Sequence, residues 1–158
     1  MAKDEKTNAL RILDRYKINY KDYHYGNGEA VSGDVIADIL GKNPETVFKT
    51  LVTEGKSKNN YVFVVPVLKE LDLKKAAKAV GEKSIVMIKQ KDLLPTTGYI
   101  HGGCSPIGMK KFFKTVINIT AIDCETITFS AGKIGCQVEL KLEDLKKVID
   151  FSLEDITV

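Results

Sequence analysis

Lys49 raises the first chemical question in this chain, because its neighbours Val47-Phe48-Lys49-Thr50-Leu51-Val52 are those of a buried strand. With the two-residue period of a strand, Lys49 shares a face with Val47 and Leu51, while Phe48, Thr50 and Val52 take the other. A lysine so placed either snorkels at a sheet edge or points into a ligand pocket. In the second case an anion or several acceptors must meet it, since burying an ammonium without partners is costly. A second feature is the stretch from Gly98 to Gly108, GYIHGGCSPIG, with four glycines in eleven residues. Such a segment brings backbone N–H groups close to a ligand or forms an anion-binding nest, and it serves equally as a structural turn. The third is lysine clustering: Lys74, Lys75 and Lys78 on one predicted helix, and Lys110, Lys111 and Lys114 after the glycine loop. Lysine runs are commonly solvated faces, but a polyanion such as tRNA uses such patches.

Conventional catalytic sets do not form. The two histidines, His24 and His101, belong to no HxxxH or HExxH pattern. His101 and Cys104 lie three apart without a second ligand pair, a poor zinc site, so no metal and no cofactor are expected. Cys104, Cys124 and Cys136 are odd in number and in no CxxC arrangement, which reads as free thiols in a reducing cytoplasm. A Cys-His nucleophilic pair stays open, against the alternative of three small buried apolar residues. No GxSxG elbow, P-loop or GxGxxG is present.

The elements that must position these residues follow from period and capping. Residues 7–16 form a helical face of Ala9, Leu10, Ile12, Leu13 and Tyr16 with Thr7 as N-cap. A strand over 20–25 ends at Gly26-Asn27-Gly28, and Ser32 opens a helix that Gly41 closes. Asn43-Pro44-Glu45 starts one helical turn. Strands 47–52 and 61–67 read as a hairpin. Asp72 caps a helix over 73–80 ended by Gly81, and a strand at 84–88 and a short helix around Asp92–Leu94 precede the glycine loop. Three strands follow, 115–122, 126–130 and 136–140, the last two joined by a tight hairpin. A final amphipathic helix carries Leu142, Leu145, Val148 and Ile149. This order predicts one α+β domain over 1–158, a mixed, barrel-like sheet with helices outside, and not a doubly wound fold.

Composition closes off other classes. At 158 residues, 44% hydrophobic and 28% charged, the chain can bury about 68–70% of its unfolded surface without staples, and its balanced charge with only 12 Gly and 4 Pro excludes disorder and collagen-like repeats. No apolar run reaches the roughly 18 residues of a membrane span, and MAKDEKTNAL lacks a signal-peptide core, so a cytoplasmic protein is expected. The net charge of +3 is uneven: residues 139–158 hold three lysines against six acids, leaving the rest basic. Arg11 and Arg15 are the only arginines, so phosphates would meet lysine point charges and backbone N–H groups rather than guanidinium forks.

Four segments in register carry a resemblance over essentially the whole chain: VFKTLV with Lys49, LDLKKAAKAVG, GYIHGGCSPIG followed by MKK, and SAGKIG. Together they resemble the YbaK/EbsC family of Cys-tRNA(Pro) deacylases, free-standing relatives of the editing domain inserted in bacterial prolyl-tRNA synthetases. The resemblance implies a single α+β domain on a barrel-like mixed sheet and removal of cysteine misattached to proline tRNA. Such editing has a physical rationale, since about a methylene of size difference gives only about 1–3 kcal/mol of discrimination. By position, Lys49 matches the essential lysine, Tyr25 the pocket tyrosine, and Gly102, Gly103 and Ser105 the GGxSP loop. Ser130 matches the serine opening the late hairpin.

In that family the substrate's own thiol is thought to attack its ester carbonyl, so that the protein contributes position and oxyanion donors. The resemblance therefore implies that Lys49 and Gly102 act at the reacting ester, Tyr25, Gly103, Ser105, Ser130 and Gln137 bind the substrate, and Lys74, Lys75, Lys78, Lys110 and Lys111 meet the tRNA backbone. It offers prolyl-tRNA synthetase as a further partner and no membrane. Two positions depart from the family hairpin, Ile134 where a basic residue is usual and Gln137 where an acid is usual. A neutral amide still accepts a hydrogen bond from the substrate's α-ammonium but gives up the charge attraction. The alternatives are editing of alanine or another amino acid on tRNA(Pro), and a non-catalytic tRNA- or synthetase-binding module.

Overall fold

Two apolar runs, 47–52 and 61–67, with a polar turn between them force the central feature, a hairpin whose two faces are both buried. In the computed structural model, which describes residues 6–158, β2 (Phe48–Gly55) and β3 (Asn60–Pro66) pair antiparallel from Phe48↔Pro66 to Glu54↔Asn60. On one face Phe48, Val52, Val62 and Val64 enter the main core; on the other Tyr61, Phe63 and Val65 enter a second one. Two buried faces explain why this pair reads as a near-continuous apolar run.

A five-stranded sheet grows from that hairpin in the order β4-β2-β3-β5-β8, with β4 at Ile85–Met87, β5 at Lys114–Asn118 and β8 at Ser152–Glu154. β5 runs parallel to β3, and β8 parallel to β5. A three-stranded sheet, β1-β7-β6, consists of β1 (Lys21–His24), β6 (Ile127–Lys133) and β7 (Cys136–Leu140), all antiparallel. One parallel bridge, Val47↔Thr128, joins the two sheets at the start of β2.

Helix α1 (Asn8–Arg15) starts where the Thr7 hydroxyl accepts the Leu10 N–H, and buries Ala9, Leu10 and Leu13 in the main core. Helix α2 (Gly33–Leu40) ends on Gly41 in the left-handed conformation, and α3 (Leu73–Val80) is capped by Asp72 at one end and Gly81 at the other. α3 lays Ala76 and Ala77 over Phe63 and Val65 and so closes the second core. Helix α4 (Gln90–Thr97) is longer than the expected turn around Asp92–Leu94, although it holds Pro95.

Two expectations are corrected at the C-terminal end. The strand expected over 115–122 stops at Asn118 and becomes a 3-10 turn, Ile119–Asp123. Asn118 takes the Ile156 N–H on its side-chain oxygen and donates to Thr120, which turns the chain out of the sheet. The final helix is one turn, α5 (Leu142–Leu145); Val148 and Ile149 still pack on the main core, but through a turn that leads into the unforeseen strand β8. The rest is the expected α+β arrangement, and among the described residues no helix is long and apolar enough to cross a membrane.

Candidate functional site

The seam between the sheets is where the hairpin runs out of partners. β4 pairs with β2 only from Thr53 to Gly55, and the one bridge from β6 is to Val47, just before β2 begins. Between them the edge of β2 is open. The Val47 carbonyl accepts the Val67 N–H and the Gly55 N–H reaches Asn59, so odd positions of β2 turn their backbone toward β3. Val52, whose carbonyl accepts the Ile88 N–H, is turned the other way, and by the same alternation so is Thr50. Along this edge lies a cavity of about 300 Å³ lined by Lys49 and Thr50 of β2, Ser130 of β6, Gln137 of β7, the start of α2, and Gly102 and Cys104 of the glycine loop.

Lys49 is half-buried, opposite Val65 in the β2–β3 register, and lines the cavity. Among the described residues it has no ion pair and no hydrogen-bond partner, unlike Lys42, whose ammonium lies 2.7 Å from the Glu139 carboxylate. The snorkelling and pocket alternatives thus meet in one place, a sheet edge that is also a cavity wall. Thr50, which the sequence pattern assigned to the opposite face from Lys49, lines the same cavity. Its hydroxyl is the one buried side-chain polar atom without a partner among the described residues.

Ser130 and Gln137 are directly opposite each other across the β6–β7 ladder, so both project to the same side. Ser130 Oγ accepts the Gly132 N–H across the bulge that follows it. Gln137 is 4% exposed, and its Nε2 donates to the Tyr25 hydroxyl at 3.3 Å. Tyr25 itself stands behind Gln137 rather than in the lining, with its phenol raised above its ordinary value by burial.

The glycine loop divides into a part that faces the cavity and a part that builds it. Gly102 lines it at φ +87°, with Ala30 so close that a Cβ would come within 2.8 Å of the alanine methyl. No partner for its N–H is found among the described residues. Gly103 lies against the hairpin backbone, where a Cβ would sit 2.9 Å from Ile134 N, and its N–H is given to Ile100 O. Ser105 is fully buried and its hydroxyl accepts the Ile107 N–H, a turn contact away from the cavity. Tyr99 donates to Ile107 O and packs on Gly132, tying loop to hairpin; burial pushes its phenol up to about 12.

Cys104 and His101 both line the cavity, but the thiol is 8% exposed and burial pushes it up to about 12. A thiol held in its protonated form is a weak nucleophile. Cys136 is likewise pushed up to about 11 by burial. Among the described residues no cluster of three His, Cys, Asp or Glu could hold a metal ion.

The lysines do not form one surface. Lys74 and Lys78 are exposed on α3, whereas Lys75 is tied to the Asp155 carboxylate (3.0 Å) and the Thr157 carbonyl (2.9 Å). α3 covers the second core, while the glycine loop packs into the main core, so the five-stranded sheet separates this group from Lys110 and Lys111. Lys110 reaches the Pro95 carbonyl, and the Lys111 ammonium lies 5.3 Å from the Phe113 ring centre.

Comparison with known proteins adds the following. Residues 29–148 match the model of the aminoacyl-tRNA editing domain. A protein of Enterococcus faecalis (strain ATCC 700802 / V583), named as a candidate Cys-tRNA(Pro)/Cys-tRNA(Cys) deacylase, EbsC, is 45% identical over 154 residues, covering 97% of this chain and 94% of that protein. Among solved structures, one described as the hypothetical protein APE2540 matches with a TM-score of 0.87 at 15% identity, over 96% of this chain and 100% of that one. Another, described as a candidate trans-editing enzyme for prolyl-tRNA synthetase, matches with a TM-score of 0.82 at 17% identity, over 98% and 99%. At such identities the structural matches establish likeness of fold.

Proposed function

The chain belongs to the aminoacyl-tRNA editing family, and from that premise we propose that it is a trans-editing deacylase that hydrolyses cysteine esterified to tRNA(Pro), and also to tRNA(Cys), in the cytoplasm. The whole chain, 1–158, is taken as one functional unit. The observation that carries this reading is a lysine without a partner among the described residues at the wall of a cavity whose one thiol, Cys104, is buried and held protonated. That arrangement favours a nucleophile brought by the substrate over the Cys104 thiol.

Cysteine brings its own thiol. The sulfur attacks the ester carbonyl, the S–C bond forms as the C–O bond to the terminal ribose breaks, and the thiol proton passes to the departing ribose oxygen. Water then opens the cyclic thioester. Holding sulfur and carbonyl in contact supplies most of the acceleration an intramolecular attack needs. Gly102, whose N–H has no partner among the described residues, is assigned to the developing oxyanion, and Lys49 to the terminal ribose or phosphate oxygens. Ser130 and Gln137, with Tyr25 behind it, hold the acyl group. Gly103 and Ser105 act through the shape of the loop. Lys110 and Lys111, and separately Lys74 and Lys78, are assigned to the tRNA backbone, with Lys75 contributing only if its contacts open. Prolyl-tRNA synthetase is the partner this reading calls for.

The test is hydrolysis of Cys-, Ala- and Ser-tRNA(Pro) by the purified protein. Cysteinyl release is expected to be fastest by at least tenfold. Faster alanine release would reassign the amino acid, and binding without hydrolysis would make the protein a tRNA-binding module.

A further inference from the structure

Charge is distributed in the cavity in one sense only. Of the lining residues, Lys49 carries a formal positive charge and none carries a carboxylate. Val31, Ser32, Gly33 and Ile36 bring the first turn of α2 to the wall, and Ser32 makes no side-chain cap to that turn. Asp34 in that turn bonds to the Ser32 side chain, so its carboxylate offsets the positive end of the helix dipole, and Lys49 is left as the formal charge in the lining. The neighbouring carboxylates are placed elsewhere. Asp34 is exposed and outside the lining. Glu139, two residues from Gln137 on the same face of β7, is held by Tyr23, Lys42 and Thr126.

What the cavity offers a nitrogen is neutral: the carbonyl oxygen of Gln137, the hydroxyl of Ser130 and the edge carbonyl of Thr50. An amide N–H donates to such acceptors too, more weakly than an ammonium but without the cost of desolvating a charge. An ammonium, by contrast, has to leave water for a site that already repels it, without the carboxylate that would compensate the transfer.

We propose that this cavity selects the acyl group without recognising a charged α-amine, so that thiol-bearing acyl esters whose α-nitrogen is acylated or missing are accepted as well as free cysteinyl esters. This rests on the deacylase reading for turnover, though not for binding. The chemistry of cleavage is unchanged, since the sulfur, the carbonyl and the departing ribose oxygen are the same in all three substrates. Gln137 is the specificity residue: a carboxylate there would give the cavity its one negative charge.

Binding is measured by calorimetry with three non-hydrolysable amides of 3′-amino-3′-deoxyadenosine, bearing cysteinyl, N-acetylcysteinyl and 3-mercaptopropionyl groups. The wild-type protein is expected to bind all three within about threefold. The Gln137→Asp protein, or Gln137→Glu if the shorter side chain fails to fold, is expected to favour the cysteinyl compound at least tenfold over the other two. A wild-type preference of tenfold or more for the cysteinyl compound, or no binding of any of the three, overturns the proposal. A second arm compares hydrolysis of Cys-tRNA(Pro) and N-acetyl-Cys-tRNA(Pro), with comparable kcat/KM expected. Equal binding without hydrolysis of either ester leaves this inference standing and removes the deacylase reading. Brisk hydrolysis of the free amine with tenfold slower release of the N-acetyl form does the reverse.

Discussion

Lys42 and Lys49 are both partly buried lysines near the three-stranded sheet, and their surroundings differ in every respect that decides what a charge is for. Lys42 lies 4.9 Å over the Tyr23 ring and 2.7 Å from Glu139, whose other contacts are the hydroxyls of Tyr23 and Thr126. Burial pushes the Glu139 carboxyl up, but the hydrogen bonds from Lys42, Thr126 and Tyr23 outweigh it and hold the group down at about 2. Every charge there is answered within the protein. Lys49, across the seam, is answered by nothing among the described residues. A self-satisfied cluster contributes stability, whereas an unanswered cation at a cavity wall is an arrangement completed by a ligand.

The largest effect that could break this contrast is on catalysis. Lys49→Ala is expected to lower kcat/KM for Cys-tRNA(Pro) at least about 100-fold, the scale of losing one charged contact to the reacting ester. Its melting temperature should stay within about 2 °C of wild type, because no internal partner is lost. Retained activity would move the lysine out of the site.

Glu139→Gln should show the opposite pattern. A carboxyl lowered from 4.5 to about 2 corresponds to about 3 kcal/mol at neutral pH, so the variant is expected to lose about 2–3 kcal/mol in urea titrations. The sign follows from the depressed folded value. The stabilisation is complete above about pH 5, where the unfolded carboxyl is ionised, and disappears as the pH falls through the folded value. The difference between wild type and variant should therefore shrink between about pH 5 and pH 2; a difference that stayed constant would sink the cluster's role.

Thr50→Val is expected to raise stability by about 1 kcal/mol, since it replaces a buried, unpartnered hydroxyl with a methyl of the same shape. A loss instead would mean that the hydroxyl has a bound partner. The smallest effect is expected for joint replacement of Cys104, Cys124 and Cys136 by serine or alanine. Deacylation per folded molecule should stay within about threefold, and a large loss would return the reaction to a protein thiol.

Local chemistry wrote much of this fold into the sequence. Thr7, Asp72, Gly41 and Gly81 each stand where a cap is required, and each caps. The β2–β3 and β6–β7 hairpins follow from β-branched and aromatic runs and the turn residues between them. What was not legible depends on residues far apart in the chain. β8 is three residues long and exists because β5 offers it an edge. The strand at 115–122 ends early because Asn118 captures the Ile156 N–H, 38 positions away. Lys75 looked like a free surface charge because nothing near it in sequence announces Asp155.

The candidate site is legible only as a set of residues that the fold brings together. Lys49, Gly102, Ser130 and Gln137 converge on one cavity, but period-two alternation separated Thr50 from Lys49. Alternation describes the two faces of a sheet and is silent about its edge, where both neighbours meet the same space. The first turn of α2 was missed for a related reason, since a helix start carries no mark of what it will face.

The single bridge from Val47 to Thr128 has a consequence for how this scaffold changes over generations. Each sheet carries its own ladder, and the cavity lies along the join, with Phe48, Leu93 and Cys104 of the main core in its wall. Substitutions at its half-buried positions, such as Lys49, Thr50 and Ser130, can reshape or recharge the opening without entering either core. A scaffold built this way can drift from one acyl group to another in single steps, each passing through a stable molecule.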